Sequence, residues 1–457
     1  MTPSEISEHA AFPAGSTDPA LETTPAPASA SAARAEKRGR YRWVVCALLF
    51  TAATVNYVDR QVIGVLKPVL AHDLGYTEID YGNIVTAFQG AYAIGMLVMG
   101  RLMDRLGTRR GFSIAVAFWS LAAAAHALAT TVTGFSMARF ALGMGEAGMF
   151  PGALKTIGEW FPKQERAFAT GIFNSGTNIG AIVCPLVVPW LAYHWGWRAA
   201  FLATGSLGGL WVILWLLVYV PLAENQRVSP GERAYILQGR EAPGPRVAWS
   251  ALFPHRQTWA FAGAKFMTDP FWWLYLFWIP DFLHKKHGLN LLQLGAPLVV
   301  IYLLSDVGSV AGGWLSSRMI ARGVGVNRAR KTALLVCALG VTPVLFASRV
   351  ESLWQAVALI GLATAAHQGF SANLFTLSTD LFPPPAVVSA VGIGGMAGAL
   401  GGMLIAQAAG HILSLTGSYT SLFACAAFAY LGAVGLLQLL VPRLEPARFE
   451  PAPQRTR

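Results

Sequence analysis

Charged residues are scarce in this chain. Only 12% of its 457 residues are Asp, Glu, Lys or Arg, while 54% are hydrophobic and the mean hydropathy is +0.48; a soluble domain has about 25% charged residues. An ordinary soluble fold is thereby excluded. Catalytic signatures are lacking as well: there is no HExxH, GxSxG or P-loop, so neither hydrolysis nor ATP-driven work has residues to carry it, and no cofactor or metal is implied. Cysteine is sparse. Cys46, Cys184, Cys337 and Cys425 fall inside apolar runs at no zinc-like or CxxC spacing and read as small buried hydrophobes. The first 40 residues have no apolar core, which excludes a signal peptide; rich in Ala, Pro, Ser, Thr and Glu, they read as a disordered tail.

What is present is a series of apolar stretches of about 20 residues, each long enough to cross a bilayer. Twelve can be placed, at 42–66, 82–103, 110–130, 133–160, 167–193, 198–221, 258–283, 292–317, 330–348, 352–381, 386–413 and 418–441. The polar break at 222–257, with Pro230, Pro243, Pro245 and Pro254, divides them six and six. This predicts an all-α polytopic membrane protein with twelve transmembrane helices in two six-helix bundles, 41–221 and 258–442. Tails at 1–40 and 443–457 flank them. Within the break, Ser229, Pro230 and Glu232 have the spacing of a helix cap and first turn, with Gly239 as a stop, so a surface helix of about 9 residues is expected.

The net charge of +11 does not call for a nucleic-acid partner, because the basic residues follow membrane topology. Of 34 Lys and Arg, only Lys67, Arg198, Lys285, Lys286 and Arg349 fall on the side opposite the tails, and Arg60, Arg139, Lys155 and Lys265 lie within segments. Both termini are therefore expected in the cytoplasm, and the chain in a bacterial inner membrane.

Asp59 and Arg60 lie deep in segment one, Arg139 and Glu146 deep in segment four. A charge at the centre of a membrane helix costs about 2.5–3.5 kcal/mol on insertion scales, so these four must be paired, hydrated in a cavity, or both. A guanidinium is permanently charged and fits a carboxylate, so Arg60 or Arg139 can hold an organic acid. A buried carboxyl takes up a proton more readily than an exposed one, so Asp59 and Glu146 can couple proton entry to anion entry. The alternative is a static ion pair locking segment one to segment four, with Asp59 neutralising Arg60. Arg139 and Glu146, seven residues apart, share a face at about 10 Å, and Gly143 between them admits a close neighbour.

In the second half, segment seven runs from Lys265 through Asp269, Pro270, Phe271, Trp272, Trp273 and Tyr275 to Trp278. Lys265 and Asp269 are spaced to pair, and Pro270 is expected to break the helix at a depth where broken helices line substrate cavities. Aromatic faces can pack on a sugar ring while hydroxyls and amides bond its oxygens, which makes Trp272, Tyr275, His367, Gln368 and Asn373 candidates. Each of these aromatics is as readily explained by lipid contact, and His367 by a bond to a neighbouring helix. Lys155 is expected to snorkel beside Glu159, and Asp306 and Asp380 to serve as gate or interface partners.

After segment two comes Gly100-Arg101-Leu102-Met103-Asp104-Arg105-Leu106-Gly107-Thr108-Arg109-Arg110. This resembles the loop motif of the major facilitator superfamily, which implies a gating role for Gly100, Asp104, Arg105, Gly107, Arg109 and Arg110. A degraded copy follows segment eight at Gly312, Gly313, Ser317 and Arg318, with Ser317 where the acid would stand. Arg139-Phe140-Ala141-Leu142-Gly143-Met144-Gly145-Glu146 resembles the superfamily's segment-four motif. Asn56-Tyr57-Val58-Asp59-Arg60, Glu159-Trp160-Phe161-Pro162, Ala366-His367-Gln368 and Ser378-Thr379-Asp380 resemble its anion:cation symporters, the hexuronate transporters among them, over residues 41–442. The resemblance implies alternating access, with Asp59 and Glu146 protonatable, Arg60 and Arg139 on the anion, and Tyr92 matching a tyrosine that reaches the substrate. It implies import of a sugar acid such as glucuronate or galacturonate with a proton, or with sodium, by a chain that works as a monomer. Aldonates and aromatic acids stay open as substrates. A drug:proton antiporter is the weaker rival, since Gly176-Thr177-Asn178-Ile179-Gly180 departs from the antiporters' segment-five motif.

Overall fold

The computed structural model describes residues 39–238 and 249–447. Arg34, Lys37 and Arg38 of the basic cluster, the rest of the N-terminal tail, Gly239, Pro243 and Pro245, and the chain beyond 447 lie outside the described residues.

Apolar stretches that cannot leave backbone groups unpaired in lipid become helices, and the described residues are almost entirely helical. They form α1 (Tyr41–Leu74), α2 (Glu78–Ala125), α3 (Val132–Glu146), α4 (Met149–Trp160), α5 (Lys163–Val218), α6 (Pro230–Leu237) and α7 (Trp249–Leu252). Then come α8 (Arg256–His287), α9 (Gly295–Ala321), α10 (Val326–Val341), α11 (Leu353–Leu381), α12 (Pro384–Thr416) and α13 (Thr420–Leu440). Helices α2 and α5 each cross twice. Their reversals are at Gly107 (φ 72°) and Gly196 (φ 81°), in the left-handed region that glycine adopts without a Cβ clash. With α3 and α4 forming one crossing, each half has six.

Among the described residues, length and apolarity alone pick out seven spans: Tyr41–Leu74, Arg105–Leu128, the double Gln164–Val218, Leu292–Ala321, Val326–Phe346, Ser389–Thr416 and Thr420–Leu440. The crossings that fail this test are the first part of α2, the α3–α4 crossing, α8 and α11. Helices α8 and α11 carry too many polar residues, among them Lys265, Asp269, His367 and Gln368, and α3 and α4 are each too short to span alone.

Small residues set the helix spacing. Gly143 of α3 packs on the Phe88 carbonyl of α2, Gly176 and Gly180 of α5 on the Phe50 and Thr54 carbonyls of α1, and Gly312 of α9 on Gly369 of α11. The two halves meet where Gly82 faces Ala406, Gly64 faces the Leu276 carbonyl, and Gly295 faces the Pro185 carbonyl.

Two expectations need correction. Pro270 does not break α8, which is continuous from Arg256 to His287. The Phe266 carbonyl, which a proline at 270 leaves without an intrahelical donor, packs with the Pro270 ring against Gly401 of α12. The interruption lies instead at Ala147–Gly148, directly after Glu146, where Pro151 offers no N–H to the Ala147 carbonyl. Cys46, Cys184 and Cys337 are buried but Cys425 is exposed on the outer face of α13.

The surface helix α6 forms with Ser229 Oγ accepting from the Glu232 N–H at 3.2 Å. The Glu232 carboxylate, however, reaches α1, where it accepts from the Tyr41 and Arg42 N–H groups at 3.2 and 3.1 Å and pairs with the Arg42 guanidinium at 3.1 Å. Arg42 also pairs with Glu165 of α5 at 2.8 Å. A carboxylate at a helix N-terminus meets both orphan N–H groups and the positive end of the dipole. The loop between the halves is thereby fastened to the start of α1. Glu232→Ala should destabilise the purified protein by about 1–3 kcal/mol, adding the loss of a cap to the loss of one of the two acids that pair with Arg42. Thermal unfolding in detergent, with exposed Glu224→Ala as control, checks this; equal stability of the two would remove the clasp.

Candidate functional site

The four buried charges converge at one level. Arg60 Nε donates to Glu146 Oε2 at 2.7 Å, with the two side chains 2% and 0% exposed. Arg60 Nη2 donates to Asn56 Oδ1 at 3.3 Å. Asp59 does not neutralise Arg60, because adjacent residues on a helix point in different directions; both its carboxylate oxygens are buried without a hydrogen-bond partner. Nor does Arg139 pair with Glu146. Arg139 Nη2 donates to the Arg60 carbonyl at 3.0 Å, leaving its Nε and Nη1 and Glu146 Oε1 unpartnered. Such atoms are rare in folded proteins and gather at functional sites.

Aromatic rings close around the guanidinium groups. The Arg60 Cζ lies 4.8 Å from the Tyr57 ring, 5.1 Å from Tyr92, 5.2 Å from Trp273 and 5.4 Å from Phe88. Arg139 Cζ lies 4.8 Å from Phe88 and 5.4 Å from Phe277. Ring faces stabilise a desolvated cation by about 2 kcal/mol or more. Trp273 and Phe277 come from the second half, so this cage spans the boundary between the bundles.

Of the second-half candidates, Trp272 stacks on His367 at 5.3 Å with 8° between planes. A His367 ring nitrogen bonds the Tyr430 hydroxyl at 2.7 Å, and Tyr430 donates to the Thr268 carbonyl at 3.2 Å, so the histidine joins α11 to α13 and α8. Asn373 Nδ2 donates to the Gly312 and Gly369 carbonyls at 2.8 and 2.9 Å, which ties α11 to α9. Tyr275 is buried with its hydroxyl unpartnered, and Gln368 is half-buried. Lys265 and Asp269 pair at 2.7 Å. Trp273, rather than Trp272, is the tryptophan over Arg60. Sequence reasoning also missed Gln61 and Gln89, both buried with unpartnered amides, Gln89 against Gly402 of α12. A polar residue in a membrane segment was the available signal.

On the side of the tails, Thr108 donates to Glu159 at 2.7 Å, Tyr219 donates to the same carboxylate at 2.9 Å, and Arg109 Nη2 donates to the Leu216 carbonyl at 2.8 Å. Gly107 makes the turn; Gly100 faces open space, Arg105 and Arg110 are exposed, and the side chain of Asp104 lies outside the described residues. Lys155 donates to the Met103 carbonyl at 2.7 Å. In the second half Arg330 pairs with Asp380 at 3.1 Å and donates to Ser316 Oγ at 2.9 Å. Ser316, buried, is thus the serine that meets the arginine, and Ser317 points outward. Asp306 is half-buried on α9.

The opposite, far side is closed. Lys67 of α1 pairs with Glu78 at 2.6 Å and with Asp281 of α8 at 2.7 Å. Lys285 bonds Glu78 and lies 3.2 Å from Asp281, to which Tyr419 also donates. Tyr81 donates to the Phe277 carbonyl at 2.9 Å and packs edge-on against Trp278, and Gln407 Nε2 donates to Asn83 and Thr86, both at 2.9 Å. These contacts join the halves directly above the Arg60 cage.

Comparison with known proteins adds three findings. The family model of the Major Facilitator Superfamily matches residues 49–360. Among curated proteins, the chain is 32% identical to the hexuronate transporter of Escherichia coli (strain K12), over 90% of this chain and 98% of that one. It is 34% identical to the galacturonate transporter of Dickeya chrysanthemi over 60% of this chain and 81% of that one, and 28% identical to a D-galactonate transporter of Escherichia coli O6:H1 over 89% and 97%. Among solved structures, a bacterial homolog of the human lysosomal transporter Spinster, in an inward-facing and occupied conformation, superposes with a TM-score of 0.68. That match has 19% identity and covers 89% of this chain and 96% of that one, a likeness of fold.

The far-side closure has a direct test. Removing the Asp281 charge leaves Lys67 without one of its two acids, so Asp281→Asn should shift the population toward opening on that side. A cysteine introduced at Thr86 should then react about tenfold faster with a membrane-impermeant maleimide applied from the far side, the change that about 1.4 kcal/mol of lost closing energy produces. An unchanged rate would mean that the ion pairs do not hold this side shut.

Proposed function

The chain belongs to the major facilitator superfamily, and from that premise we propose that it imports a sugar acid, a hexuronate foremost, with a proton by alternating access of its two bundles. The lysine and arginine bias supports a reading with both tails in the cytoplasm and the far side outside. One chain supplies every group of the site, consistent with action as a monomer.

The observation that carries this reading is the Arg60–Glu146 pair with unpartnered Arg139 N–H groups beside it. Asp59, Arg60, Arg139 and Glu146 together carry no net charge. Adding an anion alone would make this low-dielectric site negative, and adding a proton alone would make it positive. Adding both leaves it neutral.

The steps follow from the geometry. In the state closed on the far side, Glu146 occupies the Nε edge of Arg60. A proton on Glu146 removes that claim and frees the guanidinium for the substrate carboxylate, which Arg139 Nε and Nη1 can also meet. Anion and proton then favour each other's binding, which is the requirement for symport. Asp59, buried and without a partner, is a second seat for the proton. Tyr92 and Trp273 offer ring faces to the sugar, and Gln61 and Gln89 offer amides to its hydroxyls. Loss of proton and anion to the cytoplasm returns Glu146 to Arg60. The hexuronate and galacturonate transporters among the relatives support a six-carbon monoacid as substrate.

Reconstituted protein should accumulate labelled glucuronate when the outside is made acidic. Glu146→Gln should keep counterflow of glucuronate but lose gradient-driven accumulation to near background. Absence of gradient-dependent uptake of any sugar acid by the wild type would sink the proposal.

A further inference from the structure

Helix α8 carries a charged pair that the steps above leave unused. Lys265 Nζ and Asp269 Oδ2 lie 2.7 Å apart, with side chains 7% and 18% exposed. Lys265 Nζ also sits 4.4 Å from the centre of the Phe375 ring of α11. Asp269 precedes Trp273 by four residues, so the two share a face of α8, one turn or about 6 Å apart. They pack on Gly398 and Gly402 of α12, which are also four residues apart. Trp273 covers Arg60 at 5.2 Å. Tyr57, 4.8 Å from Arg60, lies close enough to Asp269 to feel its charge. The pair therefore stands one turn of α8, about 6 Å, from the residue that covers Arg60, on the tail side and in the other bundle, a spacing along the helix comparable to the length of a six-carbon acid.

We propose that Lys265 and Asp269 form the second end of the substrate site, binding the hydroxylated end of a sugar monoacid and turning away a diacid. This rests on the sugar-acid reading above. A hydroxyl both donates and accepts, so it can give its proton to Asp269 and take one from Lys265 while the two charges cancel. A carboxylate only accepts. A second carboxylate at this end meets the Asp269 charge, or must displace Asp269 from Lys265 and leave it buried and unpaired. Specificity against diacids then comes from a repulsive element built beside an attractive one.

The test is competition in proteoliposomes: labelled galacturonate uptake, inhibited by unlabelled galacturonate or by the corresponding diacid, galactarate. Wild-type uptake should be inhibited far more weakly by galactarate. Asp269→Asn leaves Lys265 uncompensated and should lower the galactarate-to-galacturonate ratio of inhibition constants roughly tenfold or more. Lys265→Gln should move that ratio the other way and raise the KM for galacturonate. Should Asp269→Asn fold but not transport, stabilisation of the purified variant against heat by each acid reads the same ratio; should it not fold, Lys265→Gln decides. An unchanged ratio in the deciding variant overturns the inference while leaving the proposed function intact. A wild type that carries no sugar acid overturns both.

Discussion

A charge in the middle of a membrane must have a counter-charge, and the Arg60–Glu146 pair is where this chain meets that demand. Breaking a buried pair by removing one partner costs about 3–5 kcal/mol, whereas exchanging one counter-charge for another need cost little. In the proposed cycle that difference turns a structural bond into a switch: Glu146 holds Arg60 until the substrate anion can, and lets go only when neutralised. The interruption between α3 and α4 immediately after Glu146, the close approach of α3 to α2 at Gly143, and the ring cage drawn from both bundles hold these groups buried and within reach of each other.

Helix α8 links this switch to the gate. Lys265, Asp269, Trp273, Phe277, Asp281 and Lys285 follow at intervals of four along it, so successive residues stand one turn above another. Trp273 and Phe277 cover the two arginines, and Asp281 and Lys285 hold the far side to Lys67 and Glu78. A single continuous helix therefore touches the level of the arginine cage and the far-side closure at once. The packing of Trp273 and Phe277 on the arginines of α1 and α3 is thereby tied to the way α8 meets α1. The glycines of α12, at 398, 401 and 402, let α8 stay close.

Much of this was legible in the sequence. The class, the twelve crossings, the six-and-six division and the level of the four charges follow from hydropathy and from the expense of membrane charges, and the turn at Gly107 from its place in the loop motif. Pair partners were not legible, because one sequence gives the face of a helix but not the rotation of its neighbour. Asp59 is next to Arg60 in the chain and does not bond it, while Glu146 is 86 residues away and does. Trp272 and Trp273 differ by one residue and point to different clusters, as do Ser316 and Ser317. Pro270 and Pro151 look alike as helix breakers, yet α8 continues through Pro270, which packs on Gly401, and the interruption falls beside Pro151. Glu232 read as a cap for its own helix and serves the first turn of α1, a contact that only the folded path of the loop creates.

The central claim is that the substrate anion replaces Glu146 on Arg60, so that a proton must arrive with it. The most direct measurement is the number of protons taken up when galacturonate binds the purified protein, from calorimetric titrations in buffers of different ionisation enthalpy. The account predicts an uptake approaching about one proton per anion at a pH where Glu146 starts ionised, falling to near zero in Glu146→Gln. Tight binding of galacturonate to the wild type with no proton uptake over the whole pH range of its stability would contradict it.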